Sequence, residues 1–360
     1  MSVDGEAVRR RRRSVTPPPS RMSLPLPMPV VASTSLTSIV TSPPKSGNIS
    51  PRTKENSPLQ TATKNVVTDD KGKCTLKITK GSRIRKIGVI SDLHIGVNGA
   101  NTCGFKQTDD MFAAYLTRML DELNYDLIVI AGDCFELWEP GPSRAHKPMT
   151  QALFNDITNS WPLTCDILLN CEHVILLNGN HDASIRTKNM VSKCYADLII
   201  EDFSLYIAHG HQSDIWCADD SLLLGVAQFA TCLYGHVELI KHSMDEDVAT
   251  LDKTIKSFDT KRCEFRAMAH ADMVSTALNC KIVTYGHTHK AMLHGTPKML
   301  YCNAGNCCTV KNHLEQIDFM LEENSPCDCV ANPVVVKANL MAVNVPTLEQ
   351  KILSSAKCPI

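Results

Sequence analysis

Five runs of apolar residues in this chain end abruptly at clusters of histidine, aspartate and asparagine. Each run has the length and the branched aliphatic composition of a buried β-strand. The runs cover residues 87–90, 127–131, 173–177, 205–208 and 282–285. Because open α/β sheets bind ligands at the carboxyl ends of their strands, the pattern predicts one metal site at one edge of a sheet.

The segments between the first runs have helical periodicity. Thr108 is a suitable N-cap, and Asp109 and Asp110 follow it in the predicted first turn. The strands before and after this helix should be parallel, as in a βαβ unit. A weaker helical pattern covers about 149–161, and a further helix-and-strand unit covers 187–200.

From 212 to 280 the pattern predicts helices and no strand, which indicates a helical insertion. Residues 222–233 are apolar on nearly every side of a helix, so they either pack in the core or cover an apolar substrate as a cap. A polar stretch, 244–261, precedes a second predicted helix, 262–278. Closing strands are expected at 297–302 and 315–321.

The first 80 residues differ in composition from the rest of the chain. They are rich in Ser, Thr and Pro, and no aromatic residue precedes Phe105, which is typical of disorder. Residues 1–86 hold 17 Lys and Arg against 5 Asp and Glu, a net charge of +12, whereas the remainder has a net charge of −13. The run Arg9 to Arg13 is either a nuclear address or a solvated basic tail. We therefore predict a tail over 1–80, a folded domain over 81–325 and an extension over 326–360.

The 16 cysteines are read as reduced thiols, because the chain begins with polar and basic residues rather than a signal peptide. This favours a cytoplasmic compartment, with the nucleus as the alternative. No segment reaches the roughly 18–20 apolar residues of a membrane span. The acidic body suits divalent metals better than nucleic acid, so nucleic acid is an unsupported partner.

The polar clusters provide oxygen and imidazole ligands and no thiolate. The predicted ligands are Asp92, His94, Asp133, Asn180, His209, His287 and His289. This donor set fits Mn, Fe, Zn, Co or Ni, and of these we expect Mn. Seven ligands are too many for one ion that keeps an open position, so we expect two ions about 3.5–4 Å apart, bridged by one carboxylate. Such a pair makes hydroxide from a bridging water near neutral pH and clamps phosphoryl oxygens.

The motifs Asp-x-His, Gly-Asp, Gly-Asn-His-Asp, His-Gly and Gly-His-Thr-His occur in this order over about 85–310. Together they resemble the calcineurin-like metallophosphoesterases. The resemblance implies an α/β fold, a two-sheet α/β sandwich with the site at the strand ends. With the features above, we predict this metallophosphoesterase fold with a helical cap insertion, over about 212–280, and a disordered N-terminal tail.

The same resemblance implies a role for each ligand. One ion would be held by Asp92, His94, Asp133 and His289. The other would be held by Asp133, Asn180, His209 and His287, so that Asp133 bridges the two. His181 would be the general acid that protonates the leaving oxygen, and Glu136 stands where the family often has a carboxylate that orients this acid.

Several neighbouring residues have two open interpretations. Arg186 binds phosphate or forms a salt bridge, and His211 contacts phosphate or shapes its loop. Asp182 either caps the next helix or acts chemically. A zinc site at Cys307, Cys308, Cys327 and Cys329 is a weaker hypothesis, because the spacing is not that of a zinc ribbon.

Within the family, residues 132–138 and 286–290, with the helical insertion, are similar to UDP-diacylglucosamine pyrophosphatases. Those enzymes typically carry Arg where this chain has His181, which is the usual residue of phosphoesterases proper. The expected partner is a phosphorylated small molecule or a lipid-linked substrate. The competing functions are a non-catalytic scaffold on the same frame and a nucleic-acid-processing phosphodiesterase that uses the basic tail.

Overall fold

The structure is a computed structural model that describes residues 59, 62–70, 72–97, 105–138, 151–187, 190–214, 246–308, 313–322, 334–347 and 349–360. For 246–261 it describes the helical backbone alone. Three predictions lie outside these residues: the disorder and arginine run of residues 1–58, the apolar segment 222–233, and the zinc hypothesis that needs Cys327 and Cys329.

The first seven strands are β1 (Lys64–Thr68), β2 (Cys74–Ile78), β3 (Lys86–Ile90), β4 (Leu127–Ala131), β5 (Val174–Leu177), β6 (Cys194–Tyr195) and β7 (Asp197–Ile200). The other seven are β8 (Leu205–Ala208), β9 (Ile282–Tyr285), β10 (Met292–Gly295), β11 (Leu300–Asn303), β12 (His313–Glu322), β13 (Val335–Asn344) and β14 (Glu349–Pro359). The α-helices are α1 (Asp109–Asp121), α2 (Gln151–Ser160), α3 (Pro162–Asn170), α4 (Ala183–Thr187) and α5 (Glu246–Leu278).

These strands form two mixed sheets of seven strands each. The first sheet has the order β1-β2-β7-β8-β9-β11-β10, and the second has the order β14-β13-β12-β3-β4-β5-β6. In the second sheet, β3 to β6 are parallel to one another, which confirms the predicted βαβ unit of β3, α1 and β4. The fold is therefore the two-sheet α/β sandwich expected from the motifs.

The strand β4 shows why the central runs are apolar throughout. Leu127, Val129 and Ala131 belong to the core cluster between the two sheets. Ile128 and Ile130 belong to the cluster between the second sheet and helices α1 to α3. Because side chains alternate across a strand, a strand covered on both faces needs apolar residues at every position. Such strands appear in the sequence as uninterrupted runs of apolar residues.

Helix α5 covers the outer face of the first sheet. Its buried residues Ala267 and Ala271 pack with Tyr206, Val283 and Tyr285. The predicted break between a polar stretch and a helix beginning at 262 is wrong, because one helix covers Glu246–Leu278. The stretch is polar, but many of its residues are good helix formers, and polarity alone does not end a helix.

Both predicted limits of the folded domain are corrected by the sheets. Strand β1 pairs with β2, and β2 pairs with β7, so the domain begins well before residue 81. Strands β13 and β14 continue the second sheet from β12, so residues 335–359 belong to its main sheet rather than to an extension. The exposed positions of β1 and β14 weaken their hydrophobic pattern, because edge strands need little apolar surface.

The weak helical pattern at 149–161 is confirmed as α2, and α3 follows it as a helix that the sequence pattern did not predict. Pro162 stands at the start of α3, where its missing N–H loses no hydrogen bond. Asp109 accepts hydrogen bonds from the N–H groups of Leu163 at 3.0 Å and Thr164 at 2.7 Å, so it caps α3 rather than its own helix. Thr108 occupies the N-cap position of α1, but its hydroxyl donates to Asp110 instead of capping the backbone.

Among the described residues, none of the helices combines the length and apolar character needed to span a membrane.

Candidate metal centre

The candidate site lies where the carboxyl ends of strands from both sheets meet. Strands β3, β4 and β5 of the second sheet lead into three of the polar clusters, and β8 and β9 of the first sheet lead into the other two. The expectation of one edge of one sheet is therefore corrected. The two halves are joined by hydrogen bonds between them: His287 N–H donates to Oδ2 of Asp92 at 3.1 Å, and Nδ1 of His209 lies 3.0 Å from the carbonyl oxygen of Ala131.

The first group of candidate ligands consists of Asp92, His94 and His289, whose ligand atoms all lie within 4.8 Å of one another. Oδ1 of Asp92 is 3.1 Å from Nε2 of His289 and 3.9 Å from Nε2 of His94. Its other oxygen, Oδ2, accepts a hydrogen bond from the N–H of His287 at 3.1 Å. One carboxylate oxygen thus fixes the loop, and the other faces the imidazoles.

The second group consists of Asp133, His209 and His287, also with ligand atoms within 4.8 Å of one another. Nε2 of His209 lies 3.1 Å from Oδ2 of Asp133 and 3.0 Å from Oδ1 of Asn180. Nδ1 of His209 contacts the carbonyl of Ala131 at 3.0 Å, so we assign the proton to Nδ1 and leave Nε2 as a ligand atom.

Asp133 lies between the two groups. Its Oδ2 is 3.1 Å from Nε2 of His209 in the second group and 3.8 Å from Nε2 of His94 in the first. Its Oδ1 accepts a hydrogen bond from the N–H of His181 at 2.9 Å. The structure therefore brings all seven predicted ligands together, with Asp133 between the two groups.

The electrostatics of the cluster fit divalent cations. Oδ1 of Asp92 and Nε2 of His94 are buried and have no hydrogen-bond partner among the described residues. Burial opposes ionisation of Asp92, but His289 and His209 outweigh it and lower the pKa of Asp92 to about 2. Burial likewise opposes a charge on His209, yet Asp133 and Asp92 raise its pKa to about 9. Two buried carboxylates thus favour positive charge between them, which a metal ion supplies.

The backbone at the candidate ligands is strained. Of the nine non-glycine residues with positive φ in the described part of the chain, five are predicted ligands: Asp92, His94, Asp133, His287 and His289. Each left-handed residue costs of the order of 1–3 kcal/mol, and such residues concentrate at functional sites. This strain aims the side chains inward and is offset by the surrounding hydrogen bonds and packing.

Two glycines in the motifs permit close approach of the loops. A side chain at Gly179 would collide with Oδ1 of Asp133, and one at Gly286 would collide with Oγ of Ser91. Substitution at either position would displace a carboxylate of the cluster or its neighbour. The glycines of Gly-Asn-His-Asp and Gly-His-Thr-His are therefore explained by space rather than by turn geometry.

Beside the first group lies a pair formed by Glu136 and His181. Oε2 of Glu136 is 2.8 Å from Nδ1 of His181 and 2.9 Å from Nδ1 of His94. Burial would raise the pKa of Glu136, but His181 and His94 outweigh it, so the pKa is lowered and the carboxylate is ionised. The indole ring of Trp138 stacks on His181 at a centroid distance of 4.2 Å. One carboxylate thus orients both a candidate ligand and the candidate acid.

Two other predicted residues serve the frame of the site. Asp182 is buried and accepts hydrogen bonds from the N–H groups of Gly179 at 2.6 Å, Cys134 at 2.7 Å and Phe135 at 3.3 Å. Its side chain therefore ties the loop after β5 to the loop after β4, while its backbone carbonyl accepts a hydrogen bond from the N–H of Ile185 in α4 at 2.9 Å. Burial, followed by the nearby Asp133, raises the pKa of Asp182 to about 7.

Arg186 was predicted to bind phosphate or to form a salt bridge. Its guanidinium instead donates to Oδ1 of Asn178 at 2.9 Å and to the carbonyl of Gly72 at 2.8 Å. Both partners are neutral, so Arg186 connects the loop before His181 to the turn between β1 and β2. The sequence pattern does not predict this contact, because Gly72 lies within the stretch predicted to be disordered.

His211 is buried beside the second group. Its ring centroid lies 5.4 Å from that of His209 and 6.3 Å from that of His287. Asp214, which the sequence interpretation missed, has Oδ2 at 3.5 Å from Nε2 of His287. Its only sequence signal is its place three residues after His211, which is too weak to single out one aspartate.

Comparison with known proteins assigns the chain to a family. The family model described as calcineurin-like phosphoesterase matches residues 85–291, more than half of the chain. The chain belongs to the calcineurin-like phosphoesterase family. Phosphoesterases of this family typically bind divalent metals, in keeping with the ligand groups described above.

Solved structures give distant similarities over most of the chain. A predicted phosphoesterase from Streptococcus pneumoniae is 13% identical, covering 77% of this chain and 98% of that chain, with a TM-score of 0.34. Vps29 from Entamoeba histolytica complexed with zinc is 15% identical, covering 76% and 98%, with a TM-score of 0.33. The Escherichia coli phosphoesterase YfcE is 11% identical, covering 75% and 98%, with a TM-score of 0.32. A search of curated protein sequences found no match.

Proposed function

We propose that this protein is a dinuclear metal-dependent phosphoesterase that hydrolyses a phosphate ester or a pyrophosphate bond. The observation that carries the proposal is the meeting of two ligand groups at Asp133, with the Glu136–His181 pair beside them. Asp92, His94, Asp133 and His289 would hold one divalent ion, and Asp133, Asn180, His209 and His287 the other. When bound, such ions lower the pKa of water and polarise phosphoryl oxygens.

The residues of the chain fix the geometry in which that chemistry occurs. Glu136 holds His94 through Nδ1, and the Ala131 carbonyl holds His209 through Nδ1, so both histidines present Nε2 to the cluster. Hydrogen bonds of this kind set the tautomer and the direction of a ligating imidazole. The burial of Asp92, Asp133 and His209 keeps water from competing with their charges.

His181 is proposed as the general acid. Because Glu136 accepts the proton on Nδ1, Nε2 is the nitrogen that gives a proton to the leaving oxygen. An ionised carboxylate beside Nδ1 stabilises the protonated imidazole before transfer. The stacked indole of Trp138 restricts rotation of the ring, and the His181 N–H bond to Asp133 fixes its backbone next to the bridging carboxylate.

The substrate class is a phosphorylated small molecule or a lipid-linked phosphate. The finer likeness to UDP-diacylglucosamine pyrophosphatases rests on residues 132–138 and 286–290 and on the insertion, and it is opposed by His181. If that likeness holds, the chain should cleave a UDP-diacylglucosamine pyrophosphate faster than a simple phosphomonoester. A preference for the monoester would place it with phosphoesterases proper.

Turnover by the purified full-length chain tests the proposal. We expect hydrolysis of p-nitrophenyl phosphate or bis(p-nitrophenyl) phosphate with added Mn²⁺ and its loss in Asp133→Asn. The matched control is Asp202→Ala, which removes a carboxylate that binds the N–H groups of Gly81 and Ser82 away from the candidate ligands. Tight Mn²⁺ binding without turnover of phosphomonoester, phosphodiester or pyrophosphate panels would instead support a scaffold.

The nucleic-acid alternative predicts a different result. Binding of single-stranded or duplex nucleic acid should weaken steeply with salt and disappear when the basic segment 1–58 is removed. This deletion leaves β1 and β2 in place. Hydrolysis of p-nitrophenyl esters that does not change on deletion would separate the metal chemistry from the tail.

A further inference from the structure

Helix α5 contributes one buried carboxylate to the neighbourhood of the metal centre. Its buried positions in the described side chains are Glu264, Ala267, Ala271 and Ser275, which recur at helical spacing. Alanine and serine at such positions are explained by packing against the first sheet. Glu264 is not, because it is only 4% exposed and its carboxylate lies beside the hydroxyls of Thr288 and Tyr301. A buried carboxylate is a poor choice for packing alone.

The partner of Glu264 lies between two candidate ligands. The hydroxyl of Thr288, the residue between His287 and His289, donates a hydrogen bond to Oε2 of Glu264. Thr288 is itself buried. The helical insertion therefore reaches the Gly-His-Thr-His loop through one side-chain contact, although Glu264 precedes the loop by more than twenty residues.

A second side chain braces the same loop from β11. Nδ2 of Asn303 donates to Oγ1 of Thr288 at 2.8 Å and to the carbonyl of Gly286 at 2.9 Å. The Thr288 hydroxyl thus accepts a hydrogen bond from Asn303 and donates one to Glu264. These two bonds hold the side chain of Thr288 in one rotamer. This matters because His287 and His289 have φ values of +63° and +56°, a conformation that relaxes unless neighbours hold it.

We propose that Glu264 is a positioning residue that holds Thr288 and thereby sets the geometry of His287 and His289 as metal ligands. The inference rests on the proposed function, because it assigns His287 and His289 to the two ions. The contact between Glu264 and Thr288 would affect both ions, because His287 belongs to one ligand group and His289 to the other. Removing a residue that holds a metal ligand in place typically weakens metal affinity by 10- to 100-fold.

The test is Mn²⁺ binding to the metal-stripped full-length protein, measured by isothermal titration calorimetry. Thr288→Val keeps the size of the side chain and removes the hydroxyl, and we expect Mn²⁺ affinity about 10- to 100-fold weaker. Glu264→Ala should lose a similar factor, and Glu264→Gln, which keeps an acceptor oxygen, should lose less. Thr288→Ser restores the hydroxyl and should bind Mn²⁺ within about twofold of wild type.

A double variant and a matched control separate positioning from general destabilisation. Thr288→Val combined with Glu264→Ala should bind Mn²⁺ no more weakly than the weaker single variant, because both remove one contact. Tyr206→Phe is the control: it removes a hydroxyl donor from buried Asp197 at 2.8 Å under the same helix, without touching the ligand loop. It should lower the melting temperature of the metal-free protein and leave Mn²⁺ affinity unchanged.

The outcomes distinguish this inference from the proposed function. If wild type binds Mn²⁺ and Thr288→Val binds it equally tightly, the inference is refuted and the proposed function stands. If Thr288→Val and Tyr206→Phe weaken Mn²⁺ binding by the same factor, the role of Glu264 is structural only and the inference is again refuted. A wild-type chain that binds no Mn²⁺ refutes both. If Glu264→Ala does not fold, the Mn²⁺ affinity of Thr288→Val alone still tests the inference.

Discussion

Oε2 of Glu136 lies 2.8 Å from Nδ1 of His181 and 2.9 Å from Nδ1 of His94. The same carboxylate oxygen therefore orients the proposed general acid and one proposed metal ligand. Movement of Glu136 would disturb proton transfer and metal binding together. The role of the general acid is therefore tested by substituting His181 itself, because this substitution should leave metal binding intact.

Substitution of His181 by alanine should abolish leaving-group protonation and retain the metal. We expect a loss of the order of 10²–10⁴-fold in kcat on esters of poorly acidic alcohols. The loss should be much smaller on p-nitrophenyl esters, because p-nitrophenolate leaves without a proton. The measurement is a plot of log kcat against leaving-group pKa for wild type and variant, with metal content determined in parallel. Parallel plots for the two proteins would reject the acid role.

Much of the site was predictable because polar residues follow strands that are otherwise buried and apolar. Buried strands that end in Asp, Asn and His need paired or metal-bound partners, and this alone grouped Asp92, Asp133 and His209. The division of the ligands between two ions stays a prediction that follows from the family resemblance. The assignment of strands to two sheets was not predictable, because an apolar run specifies burial on both faces and not which neighbour it pairs with.

The errors have distinct physical causes. Arg186 was assigned by its charge and its nearness to His181 in sequence, whereas its actual partners depend on the placement of Gly72. Strand β1 was missed because every residue in it is exposed, so no alternation marks it. Glu264 was missed because a polar residue on a helix is normally solvated, and only tertiary structure shows it against Thr288.

Substitution of Asp182 by alanine should destabilise the protein and reduce metal affinity. It would leave the N–H groups of Gly179 and Cys134 without their acceptor inside the protein. Each unsatisfied buried group costs about 1–3 kcal/mol, so we expect a loss of about 2–4 kcal/mol in the free energy of unfolding. Urea denaturation measures it. Asp202→Ala likewise removes a carboxylate that accepts from backbone N–H groups, those of Gly81 and Ser82, but away from the candidate ligands. It should lower stability and leave Mn²⁺ binding intact; loss of binding in both variants would contradict a local role for Asp182.

The buried Asp318 predicts a specific dependence of stability on pH. It accepts hydrogen bonds from Tyr125 at 2.7 Å and from Gln316, yet burial outweighs these and raises its pKa to about 6. The folded state therefore retains a proton that the unfolded state releases near pH 4. The stability from this group is present below about pH 4 and is lost as pH rises to about 6.

Asp318→Asn removes this dependence because the amide does not ionise. The difference in unfolding free energy between variant and wild type should shift in favour of the variant by at most about 3 kcal/mol between pH 4 and 7. Urea titrations at several pH values measure it, and other titrating groups cancel in the difference. A flat difference for Asp318→Asn would show that the carboxyl of Asp318 is ionised throughout.

The count of metal ions per chain tests the central claim most directly. Elemental analysis of the Mn²⁺-loaded, desalted full-length protein should give two ions per chain, because Oδ2 of Asp133 faces both His209 and His94. Asp133→Asn should reduce the occupancy of both ions together, since it weakens the ligand that they share. A wild-type count of one or none, or an Asp133→Asn variant that still holds two ions, would contradict the dinuclear centre.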